Sequence, residues 1–367
     1  MQKVIQSEKV DIFKTRLAKY KGLIDSDLED FSHLAISSTG ERFGENSAET
    51  MSVFCDVLSR GGKRIRGAMT LLAYEMYGGK DQQVALQAAR VMELIQTYLL
   101  IVDDIYDRSD TRRGSDSAHK ILATIHAKKS WKDDPHHFGE SMAFNSALIG
   151  LHVAMAIAAD IPVPAELRIK ALRTINLNLQ ITGEGQSNDI YNEVTETNDE
   201  SKIQNVLEWK TSYYTFVNPL QFGAILAGAD ERECENLLEY GIHAGKLFQI
   251  TDDIVSTFGS EFESGKSPMD DIREGKRTLL TLYALNNSPT VDAHFLQRML
   301  GYRDITQSEF EQCREILKKS GALEYARSQA LESARLARKC VESYWDSTFN
   351  SFDFMLGVLD YMIERKS

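Results

Sequence analysis

The chain has 367 residues, 43% of them hydrophobic and 26% charged, and carries a formal net charge of -12 at neutral pH. Those values fit a soluble globular protein, and the acidic balance excludes nucleic acid as the main partner, because a phosphate backbone calls for a broad basic surface. Cys55, Cys234, Cys313 and Cys340 lie far apart and form no CxxC, which reads as reduced packing thiols rather than a disulfide framework or a zinc site.

The N-terminal MQKVIQSEKVDIFK has no signal-type apolar core, and the longest mostly apolar run, 147–159, falls short of the ~20 residues of a membrane span. The expectation is therefore a cytoplasmic protein with no transmembrane segment. Six prolines and apolar spacings of three and four predict a nearly all-α chain without strand alternation. No repeat or linker divides it, so residues 1–367 read as one all-α domain. Amphipathic helical pattern covers 8–35, followed by a polar stretch over 37–47 and a helix over about 48–59. Gly61 and Gly62 stop that helix, and Lys63, Arg64 and Arg66 precede the next, over 68–77. A glycine pair that brings cations to a helix start suits an anion, although GGKRIRG alone reads more readily as a solvated basic loop.

The apolar helix over 91–102 then runs out into IVDDIYDRSDTRRG, residues 101–114. Asp103 and Asp107 stand one helical turn apart with Asp104 beside them, an arrangement that repels itself unless a cation intervenes. All-oxygen ligands suit Mg²⁺ completed by substrate phosphates, for which Arg112 and Arg113 supply forked donors. Residues 127–140 read as a surface loop or lid, in which the adjacent His136 and His137 lack zinc-ligand spacing. A long apolar helix over 138–159, a turn at IPVPAEL and a helix from about 165 follow. That helix carries GEGQSND, with Gln186 and Asp189 on one face. EWKTSYYTF then sets Lys210 and Thr211 in an aromatic segment, where a lysine either snorkels outward or meets an anion.

FQITDD is a second apolar helix ending in paired acids, Asp252 and Asp253, again followed by basic residues, Lys266, Arg273, Lys276 and Arg277. One acidic helix end with arginines nearby reads most simply as a solvated face. Two such ends in one helical chain suggest carboxylates facing each other across a cavity. Residues 307–364 alternate charged and apolar positions at helical spacing and read as scaffold.

Taken in order, GGKRIR, DDIYDRSDTRRG, GQSND, KT, FQITDD and GK followed by DIREGKRT resemble the motif set of the trans-isoprenyl diphosphate synthases, over roughly residues 54–282. The resemblance implies an all-α isoprenoid synthase bundle around a deep cavity, usually a homodimer, with the acidic motifs facing each other at its mouth. It implies that an allylic diphosphate ionises with Mg²⁺ neutralising the leaving group, that isopentenyl diphosphate attacks the cation, and that a proton is lost. Metal ligands by similarity are Asp103, Asp107 and Asp252, with Asp104 and Asp253 as further ligands or supporting groups. Arg112, Lys210 and Lys276 match contacts to the allylic diphosphate, and Lys266 a basic position nearby. Lys63, Arg66, Gln96 and Arg113 match the isopentenyl diphosphate site; Thr211 and Gln249 match polar groups beside the cation.

The chain departs from the family pattern in three places. Ser256 replaces the last acid of the second motif, Gly67 the proline after GGKRIR, and Ala147 and Leu148 a common GD pair. Product length in this family depends on what blocks the cavity floor. Tyr98 lies five residues, about 7.5 Å, before Asp103 with the aliphatic Leu99 beside it, which favours geranylgeranyl over farnesyl diphosphate. A class I terpene cyclase shares the fold, and Asp252, Ser256 and Glu261 approach its second metal motif; the basic residues around GGKRIR and GKRT argue against it. A non-catalytic partner subunit would tolerate the departures, but has little reason to keep both aspartate pairs.

Overall fold

Short polar side chains open many of the helices. The carboxylate of Asp81 accepts from Gln83 N and Val84 N, and that of Asp134 from His136 N and His137 N, with Pro135 in the first turn. Thr278 and Thr306 form reciprocal capping boxes with Thr281 and Glu309. The computed structural model describes residues 2–259, 267–348 and 351–364. Lys266 and Glu261 therefore lie outside the described residues.

In chain order the helices are α1 (Gln2–Phe43), α2 (Glu45–Ser59), α3 (Ile65–Met76), α4 (Gln82–Tyr106), α5 (Ala118–Lys128), α6 (Pro135–Asp160), α7 (Ala165–Val194) and α8 (Glu200–Val206). A π-helix (Leu207–Val217), α9 (Asn218–Leu226) and α10 (Glu231–Phe258) follow. The remainder comprises α11 (Asp270–Glu274), α12 (Leu279–Asn287), α13 (Thr290–Met299), α14 (Gln307–Lys319), α15 (Ala322–Tyr344) and α16 (Phe352–Glu364). The fold is all-α as the periodicity predicts. Its one exception among the described residues is a two-residue ribbon, β1 (Thr111–Arg112) against β2 (Ser115–Asp116), too short to show alternation in sequence.

Contacts divide the chain into two compact units. The first comprises Arg16–Thr174 and Pro219–Ala229; the second comprises Met1–Thr15, Ile175–Asn218 and Asp230–Ser367. In the first, α4 buries Val84, Ala88, Val91, Leu94, Ile95 and Ile101 against α3 and α6. Each fully buried aliphatic side chain contributes about 1.5–3 kcal/mol. In the second, α10 packs on α15 and the π-helix, burying Leu237, Tyr240, Ala244 and Leu247. The Tyr240 hydroxyl donates to Met355 O at 3.0 Å, and Phe13 meets Phe354 edge-on with centroids 5.0 Å apart.

Three sequence expectations need correction. The helical pattern expected over 8–35 ends too early, since α1 continues to Phe43 and takes in most of the polar stretch, whose side chains are largely exposed. The expected loop over 127–140 is helical from Pro135, because Asp134 caps α6 there. The membrane argument also counted too short a run: α4 and α6 are both long and apolar enough to cross a bilayer by length and composition. Much of α4 is buried in its unit, whereas α6 leaves Phe144, Leu148 and Ile149 exposed.

Candidate active site

In the first unit the DDIYD acids occupy the last turns of α4. Asp104 is only 1% exposed, an expensive position for a carboxylate, and it is compensated by Arg112. Arg112 donates from Nε to Asp104 Oδ1 at 2.7 Å and from Nη2 to the same oxygen, and Nη2 lies 3.5 Å from Asp103. Burial disfavours the guanidinium charge, but Asp104, Asp103 and Asp107 outweigh it and hold Arg112 above its ordinary value. Asp103, partly exposed, and Asp107 at the helix end complete the group.

The ribbon after α4 is a hairpin whose central residues, Arg113 at φ 54° and Gly114 at φ 74°, both take the left-handed region that a two-residue turn requires. Arg60, at the C-terminal end of α2, fastens it, donating to Asp116 O at 2.7 Å and Arg112 O at 3.3 Å. Arg113 reaches back to donate to Gly61 O. Gly62 must be glycine here: its φ is 121°, and a Cβ would lie 2.9 Å from Arg113 Nη2. Burial, then the neighbouring Arg64, push Arg113 down to about 10, so it stays charged in a cluster that an anion would relieve.

Of the three cations in GGKRIRG, Lys63 is exposed and Arg66 partly exposed, close enough to act on Arg113. Arg64 instead turns inward, donating to Asp25 at 2.8 Å, Glu93 at 3.1 Å and Leu58 O at 2.8 Å. Glu93 also accepts from Gly67 N at 2.9 Å. A proline at 67 could not donate that bond. Gln96 is buried, and its Oε1 has no hydrogen-bond partner among the described residues. Tyr98 and Leu99 are partly buried on α4, and burial raises the Tyr98 phenol.

In the second unit the KT pair sits on the π-helix, whose wide turn is seen in Ser212 Oγ donating to Leu207 O, five residues back, at 3.0 Å. Gly185 of α7 lets the Lys210 backbone approach, since a Cβ there would lie 2.2 Å from Lys210 N. Lys210 Nζ donates to Asp189 Oδ2 at 2.6 Å, and Lys276 Nζ to Glu193 Oε1 at 2.7 Å with Asp189 3.6 Å away. Thr211 Oγ1 donates to Gln249 Oε1 at 2.9 Å, and Gln249 Nε2 to Asp253 Oδ1 at 2.7 Å. Burial first, then the charges of Asp271, Asp252 and Asp189, raise the Asp253 carboxyl well above the usual carboxylate range, against the opposing Gln249 bond.

In the first unit Asp103, Asp104, Asp107 and Arg112 lie together, as do Arg113 and Arg66; in the second, Lys210 and Lys276 meet at Asp189, and Thr211, Gln249, Asp252 and Asp253 adjoin one another. Sequence reasoning missed Glu193 and Asp271 and gave Asp189 little weight. The i, i+4 spacing of Asp189 and Glu193 on α7 was the available signal.

The family described as Polyprenyl synthetase matches residues 48–317 of this chain. A geranylgeranyl diphosphate synthase of Saccharolobus solfataricus is 30% identical over 77% of this chain and 80% of its own length. A geranylfarnesyl diphosphate synthase of Aeropyrum pernix is also 30% identical, over 84% and 92%. The crystal structure of a Corynebacterium glutamicum geranylgeranyl pyrophosphate synthase, complexed with isoprenyl diphosphate and magnesium, superposes with a TM-score of 0.90 at 26% identity, covering 95% of this chain and 99% of that one. With matching motifs, an all-α fold and similarity along most of its length, the chain belongs to the polyprenyl synthetase family.

Proposed function

We propose that this trans-isoprenyl diphosphate synthase joins isopentenyl diphosphate to an allylic diphosphate and stops mainly at geranylgeranyl diphosphate. The single observation that carries the reading is the joint retention of both aspartate groups and of the Arg113–Arg66 cluster, which a cyclase without isopentenyl diphosphate would not need. Two of the relatives compared are geranylgeranyl synthases, which supports the length. The geranylfarnesyl synthase is the specific observation favouring a longer product.

The residues fit Mg²⁺. Among the described residues their donors are carboxylates, the hard oxygen ligands that Mg²⁺ prefers, and burial among like charges leaves Asp253 without a cation to balance its charge. Asp103, Asp107 and Asp252 would hold Mg²⁺, with Asp253 as a further ligand and Asp104 acting through Arg112. Bound Mg²⁺ neutralises charge on the departing diphosphate. Arg112, Lys210 and Lys276 bind the allylic diphosphate, with Lys266 proposed from the resemblance alone. Lys63, Arg66, Arg113 and the open amide of Gln96 bind isopentenyl diphosphate. The Thr211 hydroxyl and Gln249 amide present oxygen dipoles to the allylic cation without attacking it. Tyr98, with Leu99, limits the growing chain.

We also assign a cytoplasmic homodimer. Phe144, Leu148, Leu151 and Met155 recur at helical spacing on α6, and the first two are well exposed, an apolar stripe suited to a second copy. All four cysteines are buried and form no disulfide among the described residues, as a reducing compartment allows. A detergent-free dimer in sedimentation would support this assignment, and a need for detergent would favour membrane association.

The activity test is incubation of the purified chain with Mg²⁺, isopentenyl diphosphate and dimethylallyl, geranyl or farnesyl diphosphate, with products read by mass. A dominant C20 diphosphate supports the reading. A longer diphosphate discards the length argument, and a hydrocarbon from the allylic substrate alone discards the elongation reading. Complete inactivity brings forward a partner subunit.

A further inference from the structure

Apart from the aspartate groups, α10 and α15 bring three unlike ligand atoms together at their packed faces. Glu239 and His243 lie one turn apart on α10, and Cys340 projects from α15. Their ligand atoms all fall within 4.8 Å of one another. We propose that Glu239, His243 and Cys340 form a binding site for a zinc-class divalent cation, distinct in chemistry from the carboxylate groups. Cysteine spacing in the sequence could not reveal it, because its ligands lie on helices about a hundred residues apart.

One carboxylate, one imidazole and one thiol select a borderline ion over Mg²⁺. Ligand atoms around tetrahedral zinc stand about 3.5 Å apart. Small rotations of the exposed Glu239 and half-buried His243 toward the buried Cys340 close the remaining distance. The Tyr344 hydroxyl donates to Glu239 Oε2 and orients that carboxylate, as the hydrogen-bonded neighbours of metal ligands commonly do. Solvent supplies the fourth ligand on the exposed side.

The charges around the site are largely matched in pairs. From α15, Glu332 acts on His243, although Arg335 pairs with it at 2.7 Å, and Lys339 acts on Cys340. From the π-helix, Glu208 takes Lys246 of α10 at 2.8 Å. Burial and Lys246 lower His243 below its ordinary value, so at neutral pH the imidazole is neutral and ready to bind. Burial, with Glu239 next, pushes the Cys340 thiol up to about 12. The cation replaces the thiol proton, which passes to solvent, and an S–metal bond forms with no change of oxidation state. Bound, it clasps α15 to the helix that also carries Asp252.

The test is Co²⁺ titration of the full chain in excess Mg²⁺, which fills the carboxylate groups first. The expected result is a near-ultraviolet thiolate-to-cobalt charge-transfer band, lost in both Cys340→Ser and His243→Ala. Tyr344→Phe should weaken the affinity about tenfold. Zn²⁺ should displace Co²⁺ and raise the thermal midpoint of the unsubstituted chain, but not of His243→Ala. Because His243 is partly exposed, that variant keeps the test intact should Cys340→Ser fold poorly, and its elongation rate with Mg²⁺ should be unchanged. Absence of the band, or its persistence in either variant, would overturn the proposal.

Discussion

At the end of α4, Asp104 is buried against Arg112, whereas near the end of α10, Asp253 has Gln249 and the charges of Asp271, Asp252 and Asp189 for neighbours. Both helices carry paired acids after an apolar run, so the sequence makes them look alike. Their electrostatics differ. The first unit keeps an arginine inside its aspartate group. In the second, Lys210 and Lys276 are engaged by Asp189 and Glu193 of α7, and burial with the charges of Asp271, Asp252 and Asp189 shifts Asp253 toward its protonated form. A cation approaching the first group meets carboxylates already paired with a guanidinium; at the second it competes with the proton that burial and the neighbouring carboxylates favour on Asp253.

The comparison breaks most visibly in activity. Asp103→Asn and Asp252→Asn should each lower the elongation rate on the order of 10³-fold at saturating substrate, as losses of groups that stabilise developing charge do. A wild-type rate in either variant removes that residue from the metal assignment. Next in size is stability without metal. Asp104→Ala should cost about 3 kcal/mol in denaturant unfolding by stranding buried Arg112, while Asp253→Asn should cost nothing there. Equal losses would erase the distinction between the groups.

A parallel contrast divides GGKRIRG. Arg64→Ala should lose about 3 kcal/mol through Glu93 and Asp25. Arg66→Ala should leave stability alone and raise KM for isopentenyl diphosphate roughly tenfold, a loss typical of one charged hydrogen bond. Exchange of those two outcomes would reverse the roles. Smallest in rate is Tyr98→Ala, which should lengthen the product; an unchanged product distribution would remove Tyr98 from chain-length control.

Stability should also vary with pH in a defined direction. Asp253 has a folded-state value above its unfolded one, so between the two the folded chain keeps a proton that the unfolded chain releases. Its cost is absent below about pH 4 and grows as pH rises toward the folded value. Metal-free chain should therefore lose thermal stability through that window, and Mg²⁺ should recover more of it at higher pH. A flat profile in Asp253→Asn would assign the effect.

The sequence reveals helices wherever periodicity and caps agree, and both aspartate groups wherever an apolar helix ends in acids. It does not distinguish Arg64 from Arg66, because inward and outward orientations at a helix start depend on Glu93, some thirty residues away. Nor does it show the π-helix, or that Gly185 closely approaches Lys210 on it from a separate element. Asp189 is inconspicuous for the same reason: its importance comes from Lys210 and Lys276, which reach it only after folding.

The most direct test of the contrast is proton release, measured by titrating Mg²⁺ with inorganic diphosphate into weakly buffered metal-free chain and subtracting release from the salts alone. A proton should appear in the unsubstituted chain, disappear in Asp253→Asn, and persist in Asp103→Asn. Release that is absent throughout, or undiminished in Asp253→Asn, would contradict the idea that the second aspartate group exchanges a proton for its metal.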